Sequence, residues 1–175
     1  MKKNLNLLII VAVSLALVAL AFFLLLKGGS GSGFNNKKYV AKVGKEGIKR
    51  EDFEKEMAKR KNFYVWAKQD VSLSSLENDV IETMIDFELV RQYAQPKSIT
   101  VSDKDVNKRF NDLVQGSGEP EEKLLNKISQ MYGMNKSDYL EVLRKDILKE
   151  KVQENLGIPL GDWLNEQKMT VKILR

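Results

Sequence analysis

Hydrophobic positions divide the chain into two unlike parts. From Leu7 to Leu26 about twenty residues run without a charge and with Ser14 as the one polar side chain, enough to cross roughly 30 Å of hydrocarbon. A helix packed on a soluble core carries a polar stripe; this segment has none, and internal hydrogen bonding is what lets such a helix sit in lipid. A transmembrane anchor is therefore expected over residues 1–27. Gly28-Gly29-Ser30-Gly31-Ser32-Gly33 has the composition of a flexible coil, so 28–38 is read as a linker and 39–175 as a folded domain.

The competing reading of the first segment is a cleaved secretory signal peptide, which also pairs a basic start with an apolar run. Length favours the anchor, because a signal peptide's apolar region spans about 7–15 residues. The small-residue triplet Ala19-Leu20-Ala21 is followed by Phe22 to Leu26 rather than by a polar start, although the small residues from Gly28 to Gly33 leave cleavage open. Without cysteine, a lipoprotein anchor is excluded. Lys2 and Lys3 on one side face Lys27, Lys37 and Lys38 on the other, so charge alone does not orient the segment. The very short leading tail favours a single-pass protein of the cell membrane with its body on the extracytoplasmic side.

Beyond the linker the periodicity changes. Tyr39-Val40-Ala41-Lys42-Val43 alternates as a strand, and Gly44-Lys45-Glu46-Gly47 has turn chemistry leading into a helix. Helical spacing then runs from Arg50 to about Lys68, with Phe53, Met57, Tyr64 and Ala67 on one face. A second helix, capped by Ser74 or Ser75, carries a wide apolar stripe of Leu76, Val80, Met84 and Phe87 with Ile81 and Ile85, and runs to about Ala94. Pro96 ends it. Ile99-Thr100-Val101 is extended, and Ser102 caps a third helix with Asp103 and Asp105 in its first turn and Val106, Phe110 and Leu113 on its apolar face.

Gln115 to Gly118 reads as a loop, and Pro120 as the first position of a helix that buries Leu124, Leu125, Ile128 and Met131 and ends at Gly133. Ser137-Asp138 opens what reads as the longest body helix, with Tyr139, Leu140, Leu143, Ile147, Leu148 and Val152 recurring before Gly157. Asp162-Trp163-Leu164 suits one or two helical turns, with Trp163 in the core. Met169 to Leu174 alternates as a closing strand. A lone terminal strand needs a partner, so the expected fold class is mainly α: the anchor plus a helical domain whose first and last strands pair as a small two-stranded sheet.

Charge and composition narrow the function. The net charge of +5 includes Lys2, Lys3 and Lys27, and subtracting these three leaves +2 on a body in which acids and bases are mixed. That is not the one-signed surface of a nucleic-acid binder. Histidine and cysteine are both absent, which removes the commonest general base, the usual nucleophile pairs, disulfides and most metal sites. The acids Glu51, Asp52, Glu54 and Glu56, and Glu119, Glu121 and Glu122, sit at helix starts among lysines and read as solvated faces. Gly116-Ser117-Gly118 lacks the spacing of a phosphate loop. No catalytic, cofactor-binding or metal-binding residue is expected, and the chain is read as a non-enzyme.

Taken in order, these elements resemble the amino-terminal domain of the SurA family of periplasmic chaperones and its membrane-anchored relatives of the PpiD type. The likeness rests on 39–54 (YVAKVGKEGIKREDFE), 78–102 (NDVIETMIDFELVRQYAQPKSITVS) and 132–151 (YGMNKSDYLEVLRKDILKEK), and covers most of Tyr39 to Asn155. In that family a parvulin prolyl isomerase domain usually separates the last long helix from the closing segment; here Gly157-Ile158-Pro159-Leu160-Gly161 spans the gap. The resemblance thus implies an ATP-independent holding function toward unfolded or newly translocated polypeptides, without isomerase activity. A scaffold with one fixed partner at the membrane is the alternative. Association with further copies or with a translocon stays open.

A client surface needs exposed, adaptable apolar groups, which methionine and aromatic side chains supply. Met57, Phe63, Tyr64, Val65 and Trp66 are too many for one helix stripe, and Met131, Tyr132 and Met134 flank a helix end. These eight are the expected client-binding residues, against ordinary core packing for each.

Overall fold

The computed structural model describes residues 37–169 and 171–174. The expected transmembrane segment Leu7–Leu26 and residues 28–36 of the expected linker lie outside the described residues. Among the described residues no helix is long and apolar enough to cross a membrane.

Two residues of turn separate β1 (Tyr39–Val43) from β2 (Glu46–Lys49). They pair antiparallel through Val43 with Glu46, Lys42 with Gly47 and Ala41 with Ile48. Gly44 opens the turn at φ +60°, the position at which a two-residue hairpin favours glycine. Gln92 fixes this corner, its Nε2 donating to the Val43 carbonyl at 2.9 Å. At the other edge β3 (Lys172–Ile173) pairs antiparallel with β1, and the Leu174 amide donates to the Val40 carbonyl at 2.9 Å. Pairing of the body's two ends is thus as expected, but the sheet has three strands in the order β2-β1-β3 rather than two. The extra strand carries one buried side chain, Ile48, too little alternation to announce itself.

Six α-helices follow among the described residues. β2 runs directly into α1 (Arg50–Trp66), which has no side-chain cap; the Arg50 amide donates instead to the Lys38 carbonyl at 2.9 Å. α2 (Leu73–Ala94) is capped by Ser72, two and three residues earlier than the expected Ser74 or Ser75, and is the longest at 22 residues against 21 for α5. A 3-10 turn at Gln95–Lys97 follows, where Pro96 stops the α-helix. α3 (Asp103–Ser117) opens with a reciprocal capping box between Ser102 and Asp105 and continues through the expected loop to Gly118. α4 (Glu121–Tyr132) starts one residue after Pro120. α5 (Lys136–Leu156) has a second capping box, Asn135 with Asp138, and α6 (Leu160–Lys168) follows Pro159.

These elements bury two cores. The larger joins the sheet to α1, α2, the end of α5 and α6, with Val43, Leu76, Val90 and Val152 at its centre. Trp163 is half-buried there, its ring edge-on to Tyr93 with centroids 5.2 Å apart. The smaller core joins α3 to the first half of α5 through Val106, Phe110, Leu143 and Ile147. Leu113, expected inward, is 38% exposed, and Val114 packs in its place. Both cores lie wholly within the compact unit 35–175, so that unit has what independent folding requires.

Cations on α5 fasten the second core. Lys151 Nζ donates to the Thr100 carbonyl at 3.0 Å and to Asp105 Oδ2 at 2.8 Å. Arg144 reaches the Val101 carbonyl at 3.0 Å and Asp103 at 2.7 Å, and Arg109 of α3 grips Glu150 with two bonds of 3.0 and 2.6 Å. The linker before α3 is thereby tied to α5 at two points, Thr100 and Val101, and α3 itself through Asp103, Asp105 and Arg109.

Candidate functional site

A groove of about 730 Å³ lies where α2, α1 with β2, and α5 face one another. α2 contributes Val80, Met84 and Phe87, β2 contributes Ile48, and α5 contributes Tyr139 and Val142. Tyr132 and Met134, at the corner between α4 and α5, complete the apolar lining. The width of the α2 stripe explains this: Leu76, Ile81 and Ile85 are buried in the core, which leaves Met84 and Phe87 half-buried on the flank that meets the groove.

The charged lining mixes signs. Five acids and six bases border the groove, among them Glu56, Glu88 and Asp146 against Arg91, Lys145 and Lys149. Glu56 holds Lys59 at 3.1 Å on its own helix and approaches Lys145 of α5 at 3.8 Å, so a weak ion pair spans α1 and α5. Lys145 Nζ also sits 5.2 Å from the centroid of the Phe87 ring. Hydrogen bonds to Glu88 push the Arg91 guanidinium above its ordinary pKa, and burial pushes the Tyr139 phenol up. The groove thus pairs an apolar lining with a border of mixed formal charge. Among the described residues no three carboxylates converge as a metal cage.

The corner at Tyr132 closes one end. The Phe63 ring of α1 stacks on Tyr132 with centroids 5.3 Å apart, and Asn62 Nδ2 donates to the Tyr132 carbonyl at 3.4 Å. Gly133 stands at φ +68°, which favours glycine, and a Cβ there would lie 2.7 Å from Asn62 Nδ2 and displace that side-chain amide.

The eight expected client residues separate into three groups. Met57 is buried in the larger core and Tyr64 packs against it, so both serve the fold. Tyr132 and Met134 line the groove, while Phe63 and the half-buried Met131 stand at or near the corner that bounds it. Val65 and Trp66, 78% and 51% exposed, belong to the outer surface at the end of α1 and do not line the groove. Val80, Met84, Phe87, Tyr139 and Val142 were missed as groove residues, because their helical spacing reads equally well as core.

After α5 the chain passes through Gly157 and Pro159 directly into α6 and β3, with no isomerase domain between. Comparison with curated proteins gives no match. A family model described as the SurA-like N-terminal domain matches residues 1–153, more than four-fifths of the chain by span and inclusive of the hairpin, α1 to α4 and most of α5. With that match added to the helical order and the strand-closed sheet, the chain belongs to the SurA-like N-terminal domain family, a chaperone-type family.

Proposed function

We propose that this protein is an ATP-independent holdase, tethered to a membrane through Leu7–Leu26, that binds apolar segments of unfolded or newly translocated polypeptides on the extracytoplasmic side. The observation that carries the reading is the groove: its volume falls in the roughly 300–1,000 Å³ range of pockets that enclose small ligands, here the bulk of a few client side chains. Methionine and aromatic rings adapt to varied shapes, and the mixed border selects no charge in the client. Family membership supports the chaperone role. Tethering follows from the length of the uncharged segment.

The protein is not an enzyme in this reading. Neither histidine nor cysteine occurs in the chain, and the acids at the groove are paired with lysine or arginine or face solvent. A proline-limited refolding assay is expected to show no rate gain.

The test is suppression of aggregation. The purified protein without nucleotide is expected to keep a denatured outer-surface protein soluble at several-fold molar excess; no suppression overturns the proposal. The second reading, a scaffold holding one fixed partner in the same groove, is favoured if a single partner is captured in cells.

A further inference from the structure

The apolar groups that the groove does not use are concentrated at the far end of α1. Among the described residues seven large hydrophobic side chains are exposed, and three of them, Val65, Trp66 and Leu73, fall within one short stretch of chain. Lys61 and Lys68 flank Val65 and Trp66; Lys59 and Arg60, beside them in sequence, border the groove, and Asp70 follows two residues after Lys68. Lys59 is held by Glu56, but among the described residues no carboxylate lies within ion-pair distance of Arg60, Lys61 or Lys68.

The backbone adds a second observation. α1 ends in a Schellman motif: the Gln69 amide donates to the Tyr64 carbonyl at 3.0 Å and the Lys68 amide to the Val65 carbonyl at 3.2 Å. Lys68 occupies the left-handed position of that motif at φ +54°. At the ends of α3, α4 and α5 the left-handed residue is glycine: Gly118, Gly133 and Gly157. A lysine where the backbone favours glycine retains its charge at a cost to the fold.

We infer that the Lys61–Lys68 end of α1 is a docking surface for an anionic lipid bilayer. Tryptophan beside lysine is the pairing that settles at a membrane–water boundary, the ring among the headgroups and the ammonium against phosphate. Charge complementarity selects this occupant over a client segment, whose net charge varies. Chain length permits it: twelve residues lie between Leu26 and Tyr39, a reach of at most about 40 Å. The inference deepens the tethered reading by giving the body its own contact with the bilayer, one that would lay the domain against the surface. The groove remains the client site.

The test uses residues 35–175, which hold both cores, floated with vesicles of phosphatidylcholine alone or with about one-third phosphatidylglycerol. Retention on the anionic vesicles is expected to be about tenfold or more above the neutral ones and to fall as salt is raised. Trp66→Ala and Val65→Ser are expected to abolish it. Lys68→Gly is expected to weaken retention several-fold while raising the unfolding midpoint, a combination that damage to the fold cannot produce. Equal retention on both vesicle types, none on either, or retention unchanged in all three variants overturns the inference. Loss of aggregation suppression with no loss of vesicle retention in Trp66→Ala assigns the patch to clients instead and also overturns it. Because the tested chain lacks Leu7–Leu26, its failure leaves the tether standing; extraction of the full chain from membranes by carbonate bears on the tether alone.

Discussion

The rings of Phe63 and Tyr132 lie 5.3 Å apart and within 8° of parallel, and this stack fastens the last turn of α1 to the last turn of α4. The consequence reaches the groove, because Tyr132 is both half of the stack and part of the apolar lining. Ile128 is the one buried side chain of α4, and α4 packs along α1 as extensively as α2 does, so the stack is one part of a broad α1–α4 contact.

Phe63→Ala and Tyr132→Ala should therefore be coupled. In a double-mutant cycle followed by urea unfolding, the interaction energy is expected at about 0.5–1.5 kcal/mol, the range for aromatic pairs. Additive effects would place the stack outside the folded ensemble. Gly133→Ala should act on the same corner from the backbone side, since φ +68° and the Asn62 amide both oppose a Cβ.

The register of α3 is testable by a contrast of neighbours. Phe110 is 2% exposed in the smaller core and Leu113 lies outward at 38%. Phe110→Ala is expected to cost about 3–5 kcal/mol, and Leu113→Ala to fall within about 0.5 kcal/mol of the parent, both read from denaturant midpoints.

Acid should loosen the tie between α3 and α5. Hydrogen bonds from Lys151 and from the Ser102 amide and hydroxyl hold the Asp105 carboxyl down to about 2, from an ordinary value of 3.8. A depressed folded-state pKa contributes stability above the unfolded value and loses it as pH falls through the folded one. The contribution of Asp105 is thus complete above about pH 4 and fades toward pH 2. Asp105→Asn is expected to lower stability at neutral pH and to flatten the decline across that window, measured by thermal unfolding at a series of pH values.

Lys68→Gly relieves a left-handed lysine at φ +54°. The expected gain is up to about 1 kcal/mol, reduced by the greater freedom of glycine in the unfolded chain. A loss of stability would mean that the Lys68 side chain is itself a packing element.

The helices were legible because their signals are local, while two of the caps, Ser72 and Asn135, lie earlier than the sequence suggested. Ser102 with Asp105, Gly133 and Gly157 act within one turn of themselves, and spacing of three and four marks α2 and α5 without knowledge of their neighbours. The pairing of β1 with β3 followed from the lack of any other partner. β2 escaped because Glu46-Gly47-Ile48-Lys49 holds a single apolar residue, and its strand conformation comes from pairing with β1 rather than from its own pattern. The groove escaped for a related reason. Met84 and Phe87 sit on the same wide stripe as the core residues Leu76, Val80, Ile81 and Ile85, and only the placement of β2, α1 and α5 decides which flank stays open. The aromatic cluster at 63–66 was visible as an excess, yet it divides between packing, the groove's corner and the outer surface.

The most direct measurement is photo-crosslinking from inside the groove. A photoreactive residue replacing Met84 in the full chain, activated in cells, is expected to capture many polypeptides of different mass, with far lower yield from the same probe at outward-facing Leu113. A single discrete product, or equal yields at the two positions, would contradict a client-holding groove.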